Sequence, residues 1–135
     1  LFFPIHIRAE IYLLHRPEAL SSAILEVKPT IMTAVPRLYE ILRDRIYASY
    51  QYKGALDRKM LERAVILGKK SLKNEPLTIL EKLENSYLNL TVRRHIKARL
   101  GGRLKAFVSG GAALDPNIGY FFLALNIRIL QGYGQ

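Results

Sequence analysis

The chain has 135 residues, half of them apolar, and contains no cysteine. Such a length and apolar share exclude a disordered segment and support one domain with a core, while the missing thiols exclude disulfides, thiolate metal centres and a cysteine nucleophile. The formal charge of +10 is unevenly placed, because 17 Lys or Arg oppose 7 Asp or Glu between Arg37 and Lys105 whereas 4 oppose 4 in the rest.

The first residue is Leu rather than Met, and neither end shows the polar fraying of a domain boundary, so a piece of a longer protein is expected. The opening "LFFPIHI" is too short for a membrane span and lacks the basic start and cleavage site of a signal peptide; with no cysteine, a cytoplasmic setting is expected. The run "EIYLL" (Glu10 to Leu14) then reads as a strand, and Pro17 as the first turn of a helix with Leu20, Ile24 and Val27 on one face. Lys28 and Pro29 close that helix before "TIMTAV" (Thr30 to Val35), a β-branched run that predicts a buried strand. Residues 1–35 thus predict a β-α-β unit.

Residues 36–103 contain no convincing strand. Leu38, Leu42 and Ile46, then Leu56, Met60, Ala64 and Leu67, then Leu88, Val92, Ile96 and Leu100 predict three amphipathic helices, with breaks at "YKG" (Tyr52 to Gly54) and "KNEP" (Lys73 to Pro76). Arg93, Arg94, Lys97 and Arg99 lie off the last apolar line and are expected to be exposed. This basic segment suits an anionic membrane surface, nucleic acid or plain solvation; no basic-aromatic motif accompanies it, and no nucleic-acid partner is expected. "GKKS" (Gly68 to Ser71) has the ending of a phosphate loop, but Arg63 stands where the leading glycine belongs.

Residues 104–135 predict a second β-α-β unit. "LGG" (Leu100 to Gly102) ends the preceding helix and "LKAFV" (Leu104 to Val108) is a strand. Asp115 and Pro116 open a helix with Ile118, Phe121, Phe122 and Leu125 on one face, Asn126 closes it in a left-handed conformation, and "IRIL" (Ile127 to Leu130) returns as a buried, parallel strand. In an open parallel sheet, ligands bind beyond the carboxyl ends of the strands. Two successive strands here end in "SGGAAL" (Ser109 to Leu114) and "QGYGQ" (Gln131 to Gln135), so the two glycine loops are expected to face one cleft, although glycine after a strand is also an ordinary turn. His6, His15 and His95 show no ligand spacing, and no carboxylate pair is set for acid-base work.

The stretches "PTIMTAVPRLYEIL" and "LGGRLKAFVSGGAALDPNIGYFFLALNIRILQGYGQ", with the charged helical segment between them, resemble the N-terminal domain of AMP-forming acyl-CoA synthetases, adenylate-forming ligases, in their long-chain fatty-acid branch. The resemblance implies an α/β fold in which two parallel β-α-β units of a larger AMP-binding domain are separated by a basic helical insertion. It also implies two half-reactions: a fatty carboxylate attacks the α-phosphate of ATP with Mg2+ assisting, and the thiol of CoA then displaces AMP. By the same resemblance Gly110, Gly111 and Ala112, with Gln131, Gly132, Tyr133 and Gly134, bind ATP and its adenine, Tyr133 lying against the base. Ser109, Gly110 and Ala113 line the acyl-substrate end.

The family's phosphate-contacting threonine and magnesium-holding glutamate follow its adenine turn, beyond Gln135, so no catalytic residue and no metal ligand is expected among these residues, and the isolated piece is expected to be inactive. Long-chain substrates partition into bilayers, so the basic helices are expected to hold the enzyme peripherally on the inner face of a membrane. A non-catalytic remnant, a basic helical interaction module and a ligase for another carboxylic acid are the alternatives. Arg8 departs from the small residue usual before the family's strand.

Overall fold

The computed structural model describes residues 6–132. A 3-10 turn, Pro17–Ala19, leads into α1 (Leu20–Val27), followed by β1 (Ile31–Ala34), α2 (Pro36–Lys53) and α3 (Ala55–Leu72). Next come α4 (Ile79–Leu88), a π turn (Asn89–Arg93), α5 (Arg94–Arg99), β2 (Ala106–Ser109), α6 (Pro116–Ala124) and β3 (Arg128–Gln131). The protein is α/β, with a three-stranded parallel sheet in the order β1-β2-β3.

Two expectations about the sheet are corrected. Glu10 to Leu14 forms no strand and is exposed, so the segment before α1 does not supply the first strand of a unit. The basic helical segment is instead itself the crossover that carries the chain from β1 to its parallel neighbour β2, as such a pairing requires. Nor are β1 and β3 buried throughout: both are edge strands, and Ile31 and Leu130 are exposed. Apolar β-branched runs signal strands, but burial depends on what covers each face. Here the face carrying Met32, Phe107 and Ile129 lies against the core, and the register that aligns these three puts Ile31, Val108 and Leu130 on the other side.

The helix-ending chemistry follows the sequence closely. Asp115 accepts a hydrogen bond from the Asn117 backbone N–H (2.8 Å) with Pro116 in the first turn of α6. Asn126 closes α6 at φ 60°, with the Ile127 N–H donating back to the Phe122 carbonyl (2.9 Å). Ile118, Phe121, Phe122 and Leu125 are all buried as expected. In α3 the buried line is Leu61, Ala64, Val65 and Leu67, while Leu56 is exposed. The third predicted helix begins earlier than its apolar line suggested, at a capping box: Thr78 accepts from the Glu81 N–H, and Glu81 accepts from the Thr78 N–H. Arg8 is exposed and needs no buried partner.

Arg93 overturns the expectation of an exposed basic face. Its neighbours Arg94, Lys97 and Arg99 are exposed, but Arg93 retains 4% of its surface. The cause is the π turn, in which residues five apart come into line, so that Arg93 follows Leu88 inward while Val92 stays buried. Thr91 donates its hydroxyl to the Tyr87 carbonyl (2.8 Å), a local bond that suits the widened turn.

The Arg93 guanidinium donates to the carbonyls of Ala124 (2.9 Å), Ala64 (2.8 Å) and Asn85 (3.2 Å), tying α6, α3 and α4 together. No carboxylate pairs with it among the described residues. Burial pulls its pKa down, but a guanidinium stays charged, so carbonyl dipoles and the negative end of α6 must solvate it. Beside it α3 crosses the end of α6 at backbone contact: a Cβ on Gly68 would sit 2.2 Å from the Ala124 carbonyl oxygen.

In the full-length protein, Arg93→Met is expected to reduce unfolding free energy by about 2–4 kcal/mol, whereas Arg94→Met changes it by less than about 0.5 kcal/mol. Urea denaturation of both variants checks this; equal effects would contradict the buried role of Arg93.

Candidate functional site

The carboxyl ends of the three strands finish level. Ala34, Ser109 and Gln131 are register partners, the Gly110 N–H donates to the Ala34 carbonyl (3.1 Å), and the Gly132 N–H donates to the Ser109 carbonyl (2.8 Å). The two glycine loops therefore start side by side, and their first residues extend the ladder one step past the sheet. Gly111 holds φ +83°, a conformation that favours glycine. Space above Gly110 is open, with nothing within 4 Å of where a Cβ would stand. Ala112 and Ala113 are exposed on the rim, as are Gln131 and Gly132. Tyr133 and Gly134, expected to contact adenine, lie outside the described residues.

Ser109 differs from its neighbours. It is fully buried, and its Oγ has no hydrogen-bond partner. Strand alternation puts its side chain on the same face as Phe107, toward the helical layer rather than along the open rim. The other buried side-chain oxygen without a partner among the described residues, Asn85 Oδ1, lies far along the fold. Asn85, Ser71, Asn89, Arg93 and Asn126 line a polar hollow of about 170 Å³ at the carboxyl end of α6, hence at the amino ends of the strands, away from the glycine loops.

Beneath the loops, Tyr39 anchors α2 to the sheet. It is fully buried, and its hydroxyl lies 2.9 Å from the Val108 carbonyl and 3.1 Å from that of Met32, bridging β2 and β1. Its ring packs with Phe107 and Phe122 at centroid separations of 5.0 and 6.3 Å. Desolvation pushes the phenol up to about 12, with backbone hydrogen bonds acting in the opposite direction. Its position three residues after the helix-opening Pro36, on the inner side of α2, was the available signal. Arg37 is exposed and pairs with Glu40.

The Gly110 and Gly132 N–H groups are used within the sheet ladder, so what the strand ends offer a ligand is open space above Gly110 and the exposed rim of Ala112, Ala113 and Gln131. Among the described residues no three His, Asp or Glu side chains gather. His95 sits elsewhere, 3.1 Å from Lys53 Nζ; burial, then the charges of Lys53 and Arg99, lower its pKa.

The profile of the AMP-binding enzyme family matches residues 1–135. The chain belongs to this family. Its relatives include the long-chain-fatty-acid–CoA ligase FadD15 of Mycobacterium tuberculosis, 30% identical over 79% of this chain and 18% of that protein. Fatty acyl-CoA synthetase B of Dictyostelium discoideum is 32% identical over 85% of this chain and 17% of its own length. Long-chain-fatty-acid–CoA ligase 2 of Schizosaccharomyces pombe is 34% identical over 82% and 15% respectively. The chain thus spans less than a fifth of the length of these relatives, and no solved structure gives a significant match. Among the described residues no helix is long and apolar enough to cross a membrane.

Because the fold favours the neutral Tyr39 phenol, its contribution to stability is present below the ordinary pKa of 10 and is lost as pH rises through about 12. Tyr39→Phe is expected to cost about 1 kcal/mol at neutral pH and to flatten the decline above pH 10. Melting midpoints of the full-length protein across pH 7 to about 12 check both effects.

Proposed function

We propose that the full-length protein carrying these residues is a long-chain fatty acid–CoA ligase. It activates a fatty carboxylate with ATP to an acyl-adenylate, releases pyrophosphate, and passes the acyl group to CoA. The observation that carries this reading is the level termination of three parallel strands under two adjoining glycine loops, in a chain of the AMP-binding enzyme family whose relatives bear fatty acyl-CoA ligase names.

In this reading Gly110, Gly111 and Ala112 form one wall of the adenine pocket, and Gln131, Gly132, Tyr133 and Gly134 form the other, with Tyr133 stacked on the base. The open space over Gly110 admits the nucleotide because no side chain fills it. Ser109, Gly110 and Ala113 face the acyl end, where the buried, unpartnered Ser109 hydroxyl is a polar group still able to bond a substrate oxygen after a small rearrangement. Magnesium would supply charge neutralisation on phosphate oxygens, from ligands outside these residues. What residues 109–113 and 131–134 contribute is binding and orientation, which aligns the carboxylate with the α-phosphate and excludes water.

The same reading places the protein in the cytoplasm, with its basic helices against the anionic inner face of a membrane. Exposed Lys or Arg near such a surface contribute up to about 1 kcal/mol each. Arg94, Lys97 and Arg99 qualify by exposure; Arg93 does not.

Fatty-acid-dependent pyrophosphate release by the full-length protein is the first test. Gly110→Leu is expected to raise the KM for ATP by about tenfold or more while the melting midpoint holds, because the side chain enters open space. No fatty-acid-dependent release, or a Gly110→Leu enzyme with unchanged ATP kinetics, would contradict the proposal. The charge-reversed pair Arg94→Glu, Lys97→Glu should weaken salt-sensitive binding to anionic vesicles, and unchanged binding would remove the electrostatic membrane contact.

A further inference from the structure

The polarity of α4 is inverted relative to an ordinary surface helix. Ile79, Leu80, Leu83, Tyr87 and Leu90, from α4 and the first residues of the π turn, recur at helical spacing on one side and are all between 59% and 78% exposed. Its acids face the other way: Glu81 pairs with Lys70 (2.7 Å) and Glu84 with Arg63 (2.8 Å), both on α3, beside the buried Leu88. Lys70 and Arg63 hold these carboxyls below their ordinary pKa, so the pairs stay ionised near neutrality. The outward side is left apolar, with exposed Lys82 and Arg94 on the same helical stretch.

We propose that this stripe is the part of the protein that inserts into the interface of an anionic bilayer, Leu80, Leu83 and Leu90 entering the acyl boundary, Tyr87 sitting at headgroup depth, and Lys82 and Arg94 meeting lipid phosphates. Charge complementarity selects this occupant. Lys82 and Arg94 on the same stretch are exposed, while the acids of α4, Glu81 and Glu84, are engaged by Lys70 and Arg63, so a second copy would bring cation against cation. Packing also favours it: α4 rests on α3, which rests in turn on α6 and α2, so the stripe looks away from the sheet, whose open edges β1 and β3 are where further strands can pair.

This inference rests on the lipid-surface part of the function proposed above and adds to it a hydrophobic, salt-resistant component of binding that charge alone does not provide. The test uses the full-length protein, vesicles of phosphatidylcholine with or without phosphatidylglycerol, and the variant Leu80→Gln, Leu83→Gln, Leu90→Gln. The variant is expected to lose about tenfold in partition to anionic vesicles, including the fraction that survives about 0.5 M NaCl, with its melting midpoint unchanged. Separately, Leu83→Trp should show blue-shifted emission on anionic vesicles.

Wild-type partition by the triple variant, or no emission shift, overturns the proposal. A lowered melting midpoint with unchanged vesicle binding assigns the stripe to packing within the rest of the protein. A self-association in sedimentation that the triple variant abolishes, again without a change in vesicle binding, assigns it to a second copy; either result overturns the bilayer assignment. Ligase activity is measured in parallel on a short, water-soluble acid, so absent activity with intact stripe-dependent partition would sink the functional reading and leave the lipid surface standing.

Discussion

One buried cation holds the helical layer together. Arg93 reaches the carbonyls of three helices from a position with almost no solvent access, and it does so beside the point where α3 and α6 touch backbone to backbone. Taking a guanidinium out of water is costly unless each donor direction finds an acceptor, and here the end of α6 offers both a carbonyl and a favourable dipole. The arrangement matters for function because α6 is the crossover from β2 to β3. Its position decides where β3 emerges, and hence whether the second glycine loop starts beside the first.

A second tie works at the other end of the sheet. Tyr39 spans the carbonyls of Met32 and Val108 directly beneath the loops, packed among Phe107 and Phe122. One tie thus sits at the carboxyl end of α6 and the other under β1 and β2, on either side of the strands whose ends Ala34, Ser109 and Gln131 are in register. The loop after β2 consists of small residues from Gly110 to Ala113, with open space above Gly110. The basic segment serves both purposes: it is the structural crossover between β1 and β2, and its outer surface carries exposed cations and the apolar stripe of α4.

Local chemistry was legible in the sequence where one or two side chains decide the backbone. Asp115 with Pro116 opened α6, and Asn126 closed it, because capping and left-handed geometry are nearly self-contained. The capping box Thr78 to Glu81 is equally legible in the sequence, because it is set by two side chains three residues apart and not by apolar periodicity. Burial was harder to read. "EIYLL" has strand composition but no partner, and "TIMTAV" has it at an edge. Arg93 gave no signal at all, since a π turn and three acceptors on other helices are tertiary facts. For the site, the adjacency of the two loops followed from parallel topology, whereas the inward burial of Ser109 depended on register.

In the proposed enzyme the glycine loops at the ends of β2 and β3 are two walls of one adenine pocket. Photolabelling of the full-length protein with an azido-adenine analogue of ATP, followed by peptide mapping, tests it most directly. Label is expected within Ser109 to Leu114 or Gln131 to Gly134, suppressed by excess ATP. ATP-protected label confined to other segments would contradict it.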